Sequence, residues 1–299
     1  MIVAQPGLNS NSIEPIVNTS SQITLTQNFF EIWRKFIYSS SGIYFQDNKK
    51  YLLESRLRKR IAFLGLSSFE EYYNYINHNN SGSAETKYLY EAITINETFF
   101  FRNQPQFDAL ISSILPEIIS AKDKMGKNKI RIWSAASSTG EEAYTIAMLI
   151  SDVVRPKYPK MEFEIMGTDI SNAAVETAQR GVYKEYSIRN MPVYYLKKFF
   201  KPGPHGFEIE PRIKNMANFK LLNLYDDFSM RTMINYDVIF CANVLIYFDQ
   251  NSKVKVVNHL YNSLLKGGYL FIGYSETLQS ISKAFKLVSF PKTVSYKRE

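Results

Sequence analysis

The hydrophobic residues of this 299-residue chain change their spacing once, and that change limits the domains that it can form. From Thr26 to about residue 95, apolar residues recur every three or four positions, which predicts amphipathic helices. After Gly126, short apolar segments alternate with helical ones, which predicts a parallel sheet covered by helices on both faces. We therefore predict an α/β protein with a small all-helical domain ahead of a larger sheet domain.

The same pattern sets the expected domain limits. Residues 1–22 are rich in Ser, Asn, Thr and Gln and predict a disordered tail. Residues 23–103 are expected to form the helical domain, residues 104–128 a linker helix, and residues 129–299 the sheet domain. A turn cluster and short apolar segments predict a small β subdomain inserted at about residues 203–222. The strands expected in this insertion are 207–209, 213–216 and 219–222.

Composition excludes several classes of protein. With 45% hydrophobic residues and one cysteine, Cys241, the chain is expected to be globular and to lack both disulfides and a multi-thiolate zinc site. Its 3 histidines are far apart in sequence, so we expect no metal site. No apolar stretch approaches the ~18 residues needed to span a bilayer, and no signal peptide is evident. We expect a cytoplasmic protein without membrane insertion.

The net charge of +8 is distributed unevenly. Residues 1–125 carry 12 basic and 12 acidic side chains, whereas residues 126–299 carry 24 and 16. Within the neutral part, positions 49–60 contain six basic residues and one acidic residue, Glu54. This cluster predicts a docking face for an acidic partner, although such runs are more often a solvated helix face. The docking candidates are Arg56, Arg58, Lys59 and Arg60.

The first strand of the sheet domain ends in a turn of small residues followed by two carboxylates. The turn and the helix start consist of Ala135-Ala136-Ser137-Ser138-Thr139-Gly140-Glu141-Glu142. Because the turn has one glycine, it lacks the three that a dinucleotide-binding fingerprint needs. Two carboxylates repel phosphate and suit a ligand that carries hydroxyls and a positive charge. The alternative is that Glu141 and Glu142 only interact favourably with the helix dipole.

Asp169 ends the second strand, at a position where a carboxylate can accept hydrogen bonds from both hydroxyls of a ribose. The alternative is that it caps the helix that begins near Ser171. The turn of small residues lacks the glycines of a phosphate-binding loop, and the acid after it suits a ribose. Together they point to a ligand that contains adenosine but no phosphates. S-adenosyl-L-methionine is a cofactor of this kind.

A third group of candidate residues precedes the sheet domain. Asn96, Thr98 and Arg102 offer an amide, a hydroxyl and a guanidinium, which suit a carboxylate ligand with arginine as its bidentate partner. The alternative is that the aromatic run at residues 99–101 is core and that Arg102 lies on the surface.

Seven short motifs follow one another along the chain: Asn96-x-Thr98-x-Phe-Phe-Arg102, Trp133-Ser134-Ala135-Ala136, Ser138-Thr139-Gly140-Glu141-Glu142, Gly167-Thr168-Asp169-Ile170, Leu222-Asn223-Leu224, Asn243-Val244-x-Ile246-Tyr247-Phe248-Asp249 and Gly273-x-Ser275-Glu276. In order and spacing they resemble the chemotaxis receptor glutamate methyltransferases, the CheR family, from about residue 29 to residue 297. The resemblance implies a class I S-adenosylmethionine-dependent methyltransferase (Rossmann-like) sheet with a small antiparallel β subdomain, behind an all-helical domain.

The resemblance also implies the reaction and its site. S-adenosylmethionine would be the cofactor, S-adenosylhomocysteine its product, and glutamate γ-methyl esters on chemoreceptor cytoplasmic domains the result. Because a glutamate with a reference pKa of about 4.3 is ionised at pH 7, its attack on the sulfonium methyl needs no general base. We assign Tyr247 to orienting the substrate and Arg102 to the amino-acid end of the cofactor. The expected cofactor contacts are Asn96, Thr98, Arg102, Ala136, Glu142, Asp169, Asn223, Leu224 and Asn243.

The implied partner is the cytoplasmic domain of a methyl-accepting chemoreceptor, contacted by the basic second helix and by the β subdomain. We expect a monomer that does not bind nucleic acid. The positive charge and the aromatic content would also suit a nucleic-acid methyltransferase, but the basic residues are diluted over residues 126–299. No Asn-Pro-Pro-Tyr-type segment follows the third strand either.

Two residues depart from the family pattern. Ala242 stands where the family usually has arginine, and Tyr274 where it usually has histidine. A missing guanidinium beside the reacting carboxylate predicts slow turnover or altered substrate choice. Ala242 is also the residue that favours the alternative function, a non-catalytic or weakly active S-adenosylmethionine-binding receptor adaptor.

Overall fold

The structure, a computed structural model, describes residues 23–77 and 79–299, with the side chains of all of these except 79–83. The expected tail at residues 1–22 lies outside the described residues. Within the described ranges, no helix is long and apolar enough to cross a membrane. The same ranges contain no group of His, Cys, Asp and Glu side chains that could hold a metal ion.

Four helices form the N-terminal domain, and they bury their apolar faces against one another. They are α1 (Gln27–Ser41), α2 (Lys50–Leu64), α3 (Phe69–Asn77) and α4 (Asn79–Ile93), with a 3₁₀ turn (Asp47–Lys49) ahead of α2. Thr26 caps the first helix, because its hydroxyl accepts a hydrogen bond from the backbone N–H of Phe29 at 3.3 Å. Trp33 is fully buried in the core of this domain, where its Nε1 donates to the carbonyl oxygen of Phe69 at 3.2 Å.

An interrupted helix connects the two domains. It consists of α5 (Gln104–Ala109), a π-helical turn (Leu110–Ile114) and α6 (Leu115–Lys124). The π-helical turn ends two residues before Pro116, which has no N–H to continue the α-helical ladder.

Seven strands form the main sheet, and three short ones form a second sheet. The strands are β1 (Lys129–Ala135), β2 (Glu162–Asp169), β3 (Val182–Tyr183), β4 (Phe200–Gly203), β5 (Gly206–Ile209), β6 (Ala217–Leu221), β7 (Tyr236–Cys241), β8 (Leu264–Ile272), β9 (Phe285–Phe290) and β10 (Thr293–Arg298). The order in the main sheet is β6-β2-β1-β7-β8-β10-β9. Its first five strands are parallel, and the β9–β10 hairpin adds two antiparallel strands at one edge.

Helices cover both faces of this sheet, so the expected α/β class is confirmed. They are α7 (Glu141–Leu149), α8 (Asn172–Arg180), α9 (Glu185–Ile188), α10 (Val193–Phe199), α11 (Pro211–Lys214), α12 (Asp227–Met230) and α13 (Gln250–Ser263), with a π turn (Ile150–Val154) after α7 and a 3₁₀ turn (Leu245–Tyr247) before α13. Every residue of β7 is buried, as expected for a central strand between two covered faces.

The small antiparallel sheet contains β3, β5 and β4 in that order, and it begins earlier in the chain than the sequence predicted. The expected strand 213–216 is wrong, because Pro211 begins a helix there and its fixed φ suits a first helical turn. The expected strand 219–222 corresponds to β6, which pairs with β2 at the edge of the main sheet and lies outside the small sheet. Apolar alternation identified this strand but carried no information about its partner.

The N-terminal domain contacts the sheet domain at the carboxyl ends of the parallel strands. Ile43, after α1, forms an isolated antiparallel bridge with Phe248, which follows the 3₁₀ turn before α13. The neighbouring N–H of Tyr44 donates to the carbonyl oxygen of Tyr247 at 3.0 Å. These backbone bonds bring the helical domain over the edge of the sheet at which ligands bind in open α/β folds.

Candidate functional site

A pocket with a cavity volume of about 280 Å³ lies between the two domains. The N-terminal domain contributes Ser41 and Ile43 to its wall, and the sheet domain contributes the turns after β1, β2, β6 and β7. Every residue that the sequence assigned to the cofactor or to substrate orientation lines this pocket: Asn96, Thr98, Arg102, Ala136, Glu142, Asp169, Asn223, Leu224, Asn243 and Tyr247.

The turn after β1 brings backbone close to the pocket. Ala136 and Ser138 have positive φ angles of 56° and 50°, and Gly140 has one of 93°. A Cβ at Gly140 would lie 2.8 Å from the Cβ of Ala178, so the approach of α8 requires glycine here. The hydroxyls of Ser137 and Ser138 are buried and have no hydrogen-bond partner among the described residues. Sequence reasoning treated these serines only as small residues, whereas their hydroxyls are free to bind a ligand.

Asp169 is buried at the end of β2 and fixes two turns at once. Its Oδ2 accepts a hydrogen bond from the N–H of Ser138 at 2.8 Å, and its Oδ1 accepts one from Ser171 at 2.9 Å. The N-cap of α8 is Ser171, whose hydroxyl accepts from Ala174 at 3.2 Å. Burial raises the pKa of Asp169. Since each carboxylate oxygen has a second lone pair, Asp169 can accept further bonds from ligand hydroxyls.

The two carboxylates at the start of α7 have different surroundings. Glu141 is 1% exposed and accepts hydrogen bonds from the hydroxyls of Thr139 at 2.7 Å and Ser187 at 2.8 Å. Glu142 lines the pocket and accepts from the hydroxyl of Ser134 at 2.7 Å. Burial raises the pKa of both carboxyls, that of Glu142 to about 7, although the hydrogen bonds that each accepts oppose the rise. Glu141 is therefore a structural group, whereas Glu142 can change its charge state near neutral pH.

The aromatic run before Arg102 divides between the core and the pocket wall. Phe100 and Phe101 are buried in the core, as the alternative interpretation expected, whereas Phe99 lines the pocket. The guanidinium of Arg102 lies 5.8 Å from the ring centroid of Phe99, and its Nη1 donates to the carbonyl oxygen of Glu97. Arg102 is therefore part of the pocket wall.

Asn223 joins the two domains beside the pocket. Its Nδ2 donates to the carbonyl oxygen of Ser40 at 2.7 Å, and its Oδ1 accepts from the N–H of Tyr225 at 3.0 Å. The carbonyl oxygen of the buried Leu224 lies 2.9 Å from Nδ1 of His259. These bonds fix the turn after β6 against both the helical domain and α13.

Glu276 holds the loop that carries Asn243 and Tyr247. Its carboxylate accepts hydrogen bonds from the N–H groups of Asn243 at 3.2 Å, Ile246 at 3.2 Å and Gly273 at 2.6 Å. A Cβ at Gly273 would lie 2.7 Å from Oε2 of Glu276, so this approach requires glycine. Sequence reasoning placed Glu276 in a motif without assigning it a role, because its partners are distant in sequence.

Tyr247 is half-buried, and its burial raises the pKa of its hydroxyl. The positive charges of Arg56 and Arg102 oppose that rise in pKa. Arg56 belongs to α2, and its guanidinium donates to the carbonyl oxygen of Ile93, a residue of the pocket wall. Ala242 also lines the pocket. The charges of two guanidinium groups therefore act on Tyr247, which lines the same pocket as Ala242.

The docking candidates on α2 differ in their partners. Arg60 forms an ion pair with Glu85, at 2.7 Å between Nη2 and Oε2, and Glu85 is 3% exposed. Arg58 forms an ion pair with Glu54 on the same helix. Lys59 is exposed and forms no ion pair with any residue of the described ranges. The predicted docking face therefore contains fewer unneutralised cations than the sequence suggests.

Comparison with known proteins matches the two domains in turn. The family model described as CheR methyltransferase, all-alpha domain, matches residues 28–94. The family model described as CheR methyltransferase, SAM binding domain, matches residues 96–294. The two matches together span nearly the whole described part of the chain.

Similar proteins occur in several bacteria. Chemotaxis protein methyltransferase 2 of Vibrio cholerae is 33% identical over 277 residues, which cover 92% of this chain and 94% of that protein. Chemotaxis protein methyltransferase of Borreliella burgdorferi is 35% identical over 261 residues, covering 86% and 90%. Chemotaxis protein methyltransferase 1 of Pseudomonas aeruginosa is 32% identical over 272 residues, covering 90% and 97%.

Proposed function

Since this chain belongs to the CheR family of S-adenosylmethionine-dependent methyltransferases, we propose that it methylates glutamate side chains on the cytoplasmic domains of chemoreceptors. The observation that carries this proposal is the convergence on one pocket of candidate residues from distant segments of the sequence. The pocket opens between the domains, so a protein segment can approach it from outside.

The cofactor fits the pocket by the chemistry of its lining. We place the adenosine against the turn after β1, with its ribose hydroxyls toward Asp169. The amino-acid end lies toward Glu142 and Arg102, because a carboxylate and a guanidinium complement an ammonium and a carboxylate. Asn96, Thr98, Asn223, Leu224 and Asn243 complete the assigned contacts, with Ala136 in the turn itself.

The protein's part in the reaction is alignment and exclusion of water. When bound, S-adenosylmethionine supplies an electrophilic methyl group. The substrate glutamate is already ionised at neutral pH, so no side chain has to remove a proton from it. Tyr247 orients that carboxylate, while Arg56 and Arg102 provide positive charge nearby. Alignment of two reactants can lower the activation free energy by up to about 7–11 kcal/mol.

The receptor contact extends beyond the pocket. We propose that Lys59 and Arg56 of α2 guide an acidic receptor segment toward Tyr247, and that the small antiparallel sheet contacts the receptor elsewhere. Arg58 and Arg60 contribute less, because each has a carboxylate partner within the chain. A single copy of the chain supplies every residue assigned to the site, so we propose that the protein acts as a monomer.

The test is transfer of a labelled methyl group from S-adenosylmethionine to chemoreceptor cytoplasmic fragments. Treatment with base should then release the label as methanol, as expected for a methyl ester. Transfer is expected for the natural chain and for Arg231→Ala, an exposed arginine outside the pocket. Asp169→Ala is expected to lose both cofactor binding and transfer. Cofactor binding without transfer to any receptor fragment would contradict the proposal and favour the adaptor.

A further inference from the structure

Arg189, directly after α9, has a guanidinium that lies between two aromatic rings. Its central carbon is 3.9 Å from the ring centroid of Phe99 and 3.6 Å from that of Tyr186. Its Nη1 donates to the carbonyl oxygen of Tyr186. The residue is nevertheless exposed. Because stacking and this hydrogen bond already restrict the side chain, a ligand that binds it has little side-chain entropy to remove.

Arg189 belongs to the mouth of the pocket. Phe99, on which it stacks, lines the pocket, and the guanidinium of Arg102 lies 5.8 Å from the same ring. The N–H of Phe100 donates to the carbonyl oxygen of Ser187 at 2.9 Å, which ties the end of α9 to the segment that carries Phe99. Arg189 therefore keeps a fixed position relative to the residues assigned to the cofactor.

Arg189 forms no ion pair with any residue of the described ranges. Its charge acts on the buried carboxylate of Glu141, where it opposes the rise in pKa that burial causes. The exposed carboxylate on the same rim, Glu97, lies 3.5 Å from the hydroxyl of Tyr186. A guanidinium presents five N–H donors, and one hydrogen bond to a carbonyl leaves most of them free to bind a carboxylate.

We infer that Arg189 binds a second carboxylate of the acceptor segment, beside the glutamate that is methylated, and thereby determines which glutamates are accepted. This inference rests on the proposed function, because it assumes a protein segment whose reacting glutamate enters the pocket. Arg189 acts on recognition and touches neither the assigned cofactor contacts nor Tyr247. Its removal should therefore change the KM for the acceptor and leave turnover intact.

The experiment is steady-state methylation of a chemoreceptor cytoplasmic fragment, with its methylated glutamate mapped and each neighbouring acidic residue changed to glutamine in turn. Arg189→Gln is expected to raise the KM for the fragment about fivefold, the usual scale for an accessible charge pair, with kcat and S-adenosylhomocysteine affinity unchanged. One acceptor substitution is expected to raise KM for the natural chain but not for Arg189→Gln. Arg189→Lys, which keeps the charge and loses the planar fork, is expected to lie between the two. Arg231→Gln is the matched control.

Equal KM values for the natural chain and Arg189→Gln would overturn the inference while leaving the proposed function in place. The inference would also be overturned if Arg189→Gln bound S-adenosylhomocysteine more weakly and showed no coupling to an acceptor carboxylate. Arg189 would then be a residue that stabilises the pocket wall. If the natural chain methylates no receptor fragment, the proposed function fails and this inference fails with it.

Discussion

Two arginines of α2 and two at the pocket mouth carry the same charge, yet their surroundings differ. Arg60 and Arg58 are paired with Glu85 and Glu54 within their own domain. Arg102 and Arg189 stack on the ring of Phe99, donate to backbone carbonyls and form no ion pair within the described ranges. The difference teaches that a count of cations in a sequence overstates the positive charge left for a partner, because it does not show which cations already have carboxylate partners.

The largest expected effect is on stability, at one of the ion-paired arginines of α2. Arg60→Ala would leave Glu85, which is 3% exposed and also accepts a hydrogen bond from Tyr72 at 2.9 Å, without its cation. Removing one member of a buried ion pair typically costs about 3 kcal/mol or more. We expect Arg60→Ala to lower the free energy of unfolding, measured by chemical denaturation, by about that amount.

Lys59→Ala is the matched control for this prediction, because Lys59 is the exposed neighbour on the same helix. A surface change of this kind should stay within about 0.5 kcal/mol. If the two variants are equally stable and Arg60→Ala instead raises the KM for the receptor fragment, Arg60 is a docking residue after all.

Arg102 forms no ion pair with any described residue, so Arg102→Ala is expected to lower the affinity for the ligand more than the free energy of unfolding. A hydrogen bond to a charged group contributes about 1.5–3 kcal/mol, which corresponds to a ten- to hundredfold loss of affinity. We expect that loss in the dissociation constant of S-adenosylhomocysteine, measured by calorimetry, with stability nearly unchanged. Binding equal to that of Arg231→Ala would remove Arg102 from the cofactor site.

The same contrast separates the neighbouring acids of α7. Burial raises the pKa of both carboxyls, that of Glu142 to about 7, but Glu141 accepts from two hydroxyls whereas Glu142 lines the pocket. A neutral carboxyl below that pH cannot pair with the cofactor's ammonium, so affinity should fall as pH decreases through 7. Between pH 8 and pH 6 we expect S-adenosylhomocysteine to bind about tenfold more weakly.

Glu142→Gln sharpens that result, since its amide does not titrate. It is expected to bind weakly with no pH dependence across the same range. If the natural chain has the same affinity at pH 6 and pH 8, the ammonium of the ligand does not lie against Glu142.

Much of the fold could be predicted because periodicity is local. The change from a helical period to alternating strands and helices identified both domains, and the central strands were recognisable as short apolar runs. One failure concerns the type of element, because the strand expected at residues 213–216 overlaps the helix Pro211–Lys214, and the other concerns pairing. The strand expected at residues 219–222 is present as β6 (Ala217–Leu221), yet it pairs with β2, and nothing in its own residues distinguishes the edge of the main sheet from the small one.

The candidate site divides in the same way. Residues on the turns after strands could be assigned, because the carboxyl ends of parallel strands meet at one edge. Glu276 and Arg189 could not, since their roles depend on backbone N–H groups and aromatic rings that the fold brings near them. Motif matching located Glu276, but its role in holding the loop is evident only from its contacts in the structure.

The smallest expected effect tests whether charge near Tyr247 compensates for Ala242. Had the pocket lost its only guanidinium there, restoring it would raise turnover by about ten- to a hundredfold. Because Arg56 and Arg102 already act on Tyr247, we expect Ala242→Arg to raise kcat on receptor fragments only about two- to fivefold. Ala242→Met, similar in bulk and uncharged, is the control.

The compensation also predicts a coupling between two positions. Arg56→Gln should reduce kcat more in the natural chain than in Ala242→Arg, because in the latter a second guanidinium can take over the substrate carboxylate. Independent, additive effects of the two substitutions would mean that Arg56 serves only to hold Ile93 through its carbonyl oxygen. If kcat instead rises ten- to a hundredfold in Ala242→Arg, neither Arg56 nor Arg102 reaches the reacting carboxylate. The natural chain would then be a slow enzyme because it lacks an arginine at position 242.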